Sequence, residues 1–276
     1  MSPSRLSRFA VGALLREACD ALASLVFPAP CRICAATLDT ASRIPICREC
    51  LDALRPLLAP LCELCGRPLI SPLVATARQP LCRLCRREVY AFDLARSYGA
   101  YRDEMARAIM LLKHHAVTPL GGWFAARLAE LVVCQQEAFA ADVVVPVPLH
   151  PTRLRERGYN QAELIARPLA KRLRLPFRSY LLVRTRPRPD KLKLTQRERW
   201  RTVRGAYAIR EGNRVDNLRV LLVDDVFTSG ATLDACARAL RGAGATRVVG
   251  LTVARAVPDW VGFSTAGEGR SGDLAG

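Results

Sequence analysis

The sequence predicts an α/β protein, a parallel sheet with flanking helices, preceded by a small cysteine-rich domain. Three observations carry this reading. Val220 to Val223 and Val143 to Val145 are unbroken apolar runs. They are too uniform for strands with one wet face and suit a parallel sheet covered on both sides. Helical patterns follow them, over Gln161 to Leu173 and from Leu233 to about Leu240. Four Cys-x-x-Cys pairs crowd one N-terminal stretch, at Cys31/Cys34, Cys47/Cys50, Cys62/Cys65 and Cys82/Cys85.

Taken in order, residues 1–26 read as an amphipathic helix, with Leu14, Leu15, Ala18, Leu22 and Leu25 at helical spacing. The apolar run Phe9 to Leu15 stops at Arg16 and Glu17, well short of the ~20 apolar residues that span a bilayer. No secretory signal or membrane span is expected, and the protein reads as cytoplasmic. Eleven cysteines in such a chain argue for metal ligation over disulfides.

Residues 27–88 then read as a double zinc ribbon. A Cys-x-x-Cys turn holds two thiolates at the bite of one tetrahedral zinc, and two turns complete a four-cysteine site. The eight paired cysteines make two such sites, and four thiolate ligands leave no open position for a substrate, so both zincs are structural. Spacers of twelve and sixteen residues fit sequential pairing, although spacing alone leaves an interleaved cross-brace open. Cys19, Cys134 and Cys236 lie in apolar helical contexts and read as buried small residues.

Residues 89–257 form the main domain. Tyr90 to Tyr101 reads as a strand or hairpin, and Met105 to His115 as a helix ending in Lys113-His114-His115. Adjacent histidines face different ways on a helix, so they share no metal, and Lys113 alone is weak evidence for an anion. Gly122 to Gln136 is a second amphipathic helix. Asp142 to Leu149 is a buried strand broken by Pro146 and Pro148 into a rigid loop, with Arg153, Arg155 and Arg157 soon after. This is a candidate pyrophosphate cradle, with Pro148, Arg153 and Arg157 as contacts, because guanidinium forks pair bidentately with phosphate. Pro168 inside the next helix costs roughly 3 kcal/mol and predicts a kink or break. Ser179 to Val183 and Val203 to Ile209 have strand patterns. Between them Thr185 to Arg201 is polar, strongly basic and Pro-containing, which suits a long flap. Arg247 to Ala254 is the last strand, and residues 258–276 are Gly- and Ser-rich, a disordered tail.

The chemistry concentrates at Val223-Asp224-Asp225-Val226-Phe227-Thr228-Ser229-Gly230-Ala231-Thr232. The order is strand, acidic pair, small hydroxyl-bearing turn, helix start. Free amides and the dipole at a helix start favour an anion, and Gly230 lets the backbone approach it. Thr228, Ser229 and Thr232 can donate to phosphate oxygens. Two carboxylates beside that cup call for sugar hydroxyls or a divalent metal, and a ribose 5-phosphate satisfies both halves. A plain Asx turn with a hydroxyl N-cap has no use for adjacent carboxylates. A phospho-acceptor receiver domain needs later strands and a later lysine, and no lysine follows Lys193. Gly-x-Gly-x-x-Gly and Gly-Lys-Ser/Thr motifs are missing.

The formal charge of +17 and pI near 10.1 point to polyanionic ligands. The basic excess crowds Arg153 to Arg219, but arginine far outnumbers lysine, which a GC-rich genome also explains.

The Val-Asp-Asp-Val-Phe-Thr-Ser-Gly-Ala-Thr stretch resembles the PRPP-binding signature of type I phosphoribosyltransferases. With the Cys-x-x-Cys pairs, Pro146-Val147-Pro148-Leu149-His150 and Arg157-Gly158-Tyr159-Asn160-Gln161, the chain resembles the ComF family from about residue 25 to 256. The resemblance implies a double zinc ribbon joined to a type I phosphoribosyltransferase fold. It implies that Asp224 and Asp225 hold the ribose hydroxyls of PRPP, with Mg²⁺, and that Thr228 to Thr232 hold its 5-phosphate. Pro146 to Leu149 would be the pyrophosphate loop. Thr185 to Arg201 would be a mobile flap carrying Lys191 and Arg199 as candidate catalytic cations beside Asp224 and Asp225. Family members carry Gln in a Pro-Ser-Gln-x-Gly-Leu stretch, whereas this chain reads Pro189-Asp190-Lys191-Leu192-Lys193-Leu194. Polyanion binding survives that change, but a Gln-dependent base contact is in doubt.

Three functions remain open. One is phosphoribosyl transfer to an unidentified acceptor. The second is a non-catalytic module contacting single-stranded DNA and competence-machinery proteins. The third is a PRPP-sensing regulator.

Overall fold

The computed structural model describes residues 30–38, 42–58, 60–69, 71–187 and 196–257. Its strands are β1 (Leu94–Ala100), β2 (Val143–Pro146), β3 (Leu182–Arg184), β4 (Tyr207–Ile209), β5 (Arg219–Phe227) and β6 (Arg247–Arg255). Its helices are α1 (Arg48–Asp52), α2 (Pro72–Ala75), α3 (Asp103–His114), α4 (Pro119–Cys134), α5 (Pro151–Arg157), α6 (Gln161–Leu173), α7 (Gln196–Val203) and α8 (Ala231–Gly242). The readings for residues 1–26 and 258–276, and for Cys19, lie outside the described residues.

The main sheet runs β1-β6-β5-β2, and each neighbouring pair is parallel. All four residues of β2 are buried, as are residues 220–225 of β5 and 248–255 of β6. That burial is the reason their sequences run apolar instead of alternating, apart from the buried polar residues Asp224, Asp225, Thr252 and Arg255. On one face lie α3, α4 and α6, with Phe124, Ile109, Leu128 and Ile165 in the core. On the other lie α8 and the antiparallel β3–β4 pair.

The cysteine-rich segment caps β1, which would otherwise be a bare sheet edge. Leu57 donates its amide to Tyr98 O at 2.6 Å, and Ala95 donates to Leu64 O at 2.7 Å. Cys31 and Cys50 belong to the core of the first face, and Cys62, Cys65, Cys82 and Cys85 to that of the second. The segment therefore straddles the sheet, one quartet to each side.

Several expectations need correction. Thr185 to Arg201 is not one loop, because Gln196 onward forms α7, whose Trp200 packs at 5.8 Å from the Tyr90 ring. β5 does not stop at Asp224 but continues to Phe227, since its ladder with β6 extends to Phe227 opposite Arg255. Cys134 is exposed, at the last position of α4; Cys236 is buried as expected.

Pro168 does not break α6, which runs from Gln161 to Leu173. Asn160 caps it by accepting from Ala162 N at 3.1 Å, and Ile165, Ala166, Leu169 and Ala170 bury its inner face. Pro168 has no amide to give Leu164 O. Gly121 of α4 lies against that same oxygen, so close that a Cβ there would sit 2.6 Å away. The freed carbonyl faces an α4 position with no side chain, whereas a Cβ at the neighbouring Gly122 would meet nothing. Gly121→Ala is expected to force the helices apart and cost about 1–3 kcal/mol, read as a lower midpoint in denaturant unfolding. An unchanged midpoint would show room that the geometry denies.

Candidate functional site

β2 and β5 are parallel neighbours, so their carboxyl ends open into one crevice, the usual ligand position of such sheets. Asp224 and Asp225 lie just past the last β2 partner, Val223, and before the end of β5 at Phe227; they are 8% and 4% exposed. Asp224 Oδ1 accepts from Asp225 N at 2.9 Å. Asp225 Oδ2 pairs with Lys113 Nζ, on the last turn of α3, at 2.6 Å. Asp224 lies toward α8, where its charge adds to burial in raising the Cys236 thiol. The two carboxylates thus leave the strand toward opposite faces. Burial, and then the neighbouring Asp225, lift the Asp224 carboxyl to about 8.

The turn after the strand is shaped by Gly230, which caps α8 at φ +79°. The first-turn amides of α8 have no intrahelical acceptor and suit an anion; that of Ala231 makes a long 3.4 Å contact with Ser229 Oγ. A Cβ on Gly230 would meet Tyr90 Cε1 at 2.6 Å and Phe227 Cζ at 2.7 Å. Glycine is needed here for its dihedral and because two rings fill the space beneath it. Tyr90 also donates its hydroxyl to Ser229 O at 3.0 Å. Thr228 is exposed and Thr232 half-buried, while Ser229 and Ala231 are buried.

Across the crevice, Pro148 is buried in the loop after β2. Arg153, Arg155 and Arg157 lie on α5, so they do not converge as a row. Arg153 and Arg157 share a face at i, i+4 and Arg155 points away. Arg153 pairs with Glu156 at 3.5 Å, and Arg157 donates to Gln161 Oε1. The cations nonetheless gather. His114 is held below its usual range by burial, then by Arg157 and Lys113, with His115 and Arg153 adding to the effect.

Sequence reasoning undervalued three residues. Lys113 is the counter-ion of Asp225. Tyr159 donates to Leu112 O at 2.6 Å and fixes the end of α3 that carries Lys113. Asn160 donates to Val147 O at 3.0 Å and fixes the loop after β2. The Arg-Gly-Tyr-Asn-Gln stretch is thus a clamp between two walls of the crevice. The available signal for Lys113 was its rarity as a lysine in an arginine-rich chain. Lys191 lies outside the described residues, and Arg199 falls within α7 with its side chain outside them.

The cysteines pair sequentially. Cys31, Cys34, Cys47 and Cys50 form one quartet and Cys62, Cys65, Cys82 and Cys85 the other, each with its ligand atoms within 4.8 Å of one another. Cys34 and Cys47 sulfurs are 3.6 Å apart, and those of Cys65 and Cys82 3.7 Å. Tetrahedral Zn–S bonds of about 2.3 Å give edges of about 3.8 Å, so both quartets fit zinc. Amides turn toward the sulfurs, with Cys47 N on Cys31 Sγ and Cys82 N on Cys62 Sγ at 3.3 Å.

A family model for a double zinc ribbon domain matches residues 22–86, and one for a phosphoribosyl transferase domain matches residues 160–259. The chain is 28% identical over 227 residues to DNA utilization protein YhgH of Salmonella typhimurium, covering 81% of this chain and 96% of that one. It is 27% identical over 203 residues to competence protein ComFC of Bacillus subtilis, covering 71% and 77%. Among solved structures, glutamine PRPP amidotransferase from B. subtilis, complexed with ADP and GMP, matches at 27% identity and TM-score 0.33. That match covers 49% of this chain and 26% of the enzyme. With both domain models in this order, the chain is a double zinc ribbon joined to a phosphoribosyltransferase fold, and it is similar over most of its length to the DNA utilization and competence proteins.

Proposed function

We propose that the crevice binds PRPP or a related ribose 5-phosphate together with Mg²⁺, and that this binding serves a role in DNA uptake. The observation that carries the reading is the buried pair Asp224–Asp225 leading directly into the Thr228–Thr232 turn and the start of α8. The turn and the α8 amides receive the 5-phosphate. The carboxylates accept from the ribose diol, and Arg153, Arg157 and Lys113 gather around the pyrophosphate end. Asp225 has Lys113 as its counter-ion, whereas Asp224, lifted to about 8 by burial and by Asp225, has no ion pair of its own among the described residues; a divalent cation would favour its ionised form. When bound, Mg²⁺ neutralises charge on a departing pyrophosphate. The protein's part is to bind the sugar, hold the pyrophosphate with its arginines and present the diol to the acid pair.

The relatives named for competence and DNA utilization, with the charge of +17, favour a second reading in which single-stranded DNA binds alongside. Calorimetric titration separates the two. PRPP is expected to bind in the presence of Mg²⁺ and more weakly in its absence, and pyrophosphate release across purine and pyrimidine acceptors tests for turnover. Binding of single-stranded DNA with no measurable PRPP affinity would overturn the first reading.

A further inference from the structure

We propose that Tyr90 is a positioning residue that makes the second cysteine quartet, and not the first, a working part of the phosphate turn. The contacts form one unbroken path. Arg255 is fully buried and donates to Cys65 O at 2.5 Å and to Cys65 Sγ at 3.7 Å. Its guanidinium lies 4.1 Å from the centroid of the Phe227 ring, a cation–π distance. Phe227 meets Tyr90 edge-on at 6.3 Å, and Tyr90 stacks on Phe92 at 4.6 Å. Both Tyr90 and Phe227 press beneath Gly230, and the Tyr90 hydroxyl ends the path on Ser229 O.

The segment just after the second quartet is also pinned to α8. Asp234 accepts from Ala91 N at 2.7 Å, and its partner Arg238 donates to Val89 O at 3.1 Å. The first quartet has no such path among the described residues. Its ties run through Tyr98 to Leu54 O at 2.9 Å and through Arg107 to Ile33 O at 3.2 Å, both on the opposite face of the sheet from α8. Packed chains of this kind transmit position because their side chains have few alternative arrangements. The turn at residues 228–232 bears on ligand affinity only under the phosphoribosyl reading, but its geometry depends on Tyr90 regardless.

Tyr90→Phe keeps the ring and removes only the hydroxyl. Tyr98→Phe removes a matched tyrosine–carbonyl bond at the first quartet and serves as the control. In the full chain with both zincs bound, Tyr90→Phe is expected to speed amide exchange at residues 229–232 about fivefold, the worth of one neutral hydrogen bond. Zinc content should stay unchanged, and PRPP affinity should fall by a similar factor. Tyr98→Phe should leave exchange at those residues unaltered. Coupling of affinities is reciprocal, so PRPP with Mg²⁺ should raise the chelator concentration needed at equilibrium to remove one zinc and not both, less so in Tyr90→Phe. Equal exchange at 229–232 in wild type and Tyr90→Phe, or equal acceleration by Tyr98→Phe, overturns the proposal. If wild type fails to bind PRPP, the exchange comparison still decides the role of Tyr90, and only the ligand reading falls.

Discussion

Asp224→Asn is expected to weaken PRPP binding about tenfold to 150-fold while sparing the fold. A carboxylate accepting from a hydroxyl is worth about 1.5–3 kcal/mol, and this range converts to that loss. The pH dependence gives an independent readout. The folded-state carboxyl is lifted to about 8, against about 3.9 in an unfolded chain. The folded protein therefore holds this proton more tightly. The resulting stability is full below about pH 4 and disappears as pH rises through about 8, at up to about 1.4 kcal/mol per pH unit. Asn cannot ionise, so Asp224→Asn should flatten this slope in denaturant unfolding measured from pH 5 to 9. A metal–ribose ligand prefers the ionised acid, so wild-type affinity for PRPP with Mg²⁺ should rise over the same interval. Affinity unchanged in a folded Asp224→Asn protein would remove the ribose-grip assignment. Asp225→Asn is a different experiment, because it strands Lys113, whose side chain is 19% exposed. Breaking a buried pair costs roughly 3–5 kcal/mol, less here to the extent that Lys113 reaches water. Adding Lys113→Met should restore part of that loss, so two carboxylates that look equivalent in sequence should behave oppositely in stability.

Stripping both metals is expected to unfold the chain rather than loosen its N-terminal part. Structural zinc in small cysteine sites is worth about 10–16 kcal/mol, as much as the whole stability of a typical domain, about 5–15 kcal/mol. The second quartet lies wholly in the core of one sheet face, with Cys62 and Cys65 fully buried, and Cys31 and Cys50 of the first belong to the core of the other. Metal analysis should return two zincs per chain, and a strong chelator should abolish the near-ultraviolet signal of the packed aromatics. Clearly fewer than two zincs, or a packed sheet that survives complete removal, would argue against this. The same geometry bears on truncation. A fragment beginning near residue 89 would expose the β1 edge and lose the amide–carbonyl pairs at Leu57–Tyr98 and Leu64–Ala95, so it is expected to aggregate.

What the sequence determined by itself was local chemistry. The apolar runs at Val143 to Val145 and Val220 to Val223 announced buried parallel strands, because burial on both faces removes alternation. The Cys-x-x-Cys bite announced zinc, because two thiolates at that spacing meet one tetrahedral ion. The acidic pair and hydroxyl turn were legible because they are contiguous. What only the tertiary structure decided depends on partners far apart in the chain. Spacing could not choose between sequential and interleaved cysteine pairing, and the packing of one quartet on each face of the sheet did. β5 extends through Asp224 and Asp225, residues that disfavour strands, because its ladder with β6 holds them. Gln196–Val203 is helical despite a polar, basic sequence, with Trp200 and Val203 packed against the core beside α8. Lys113 meets Asp225, and Tyr90 meets Ser229, across element boundaries that no periodicity reports. Local pattern sets which residues can do the chemistry. Which charge faces which carboxylate, and which ring supports the turn, is set by how the helices and the cysteine-rich cap close over the sheet.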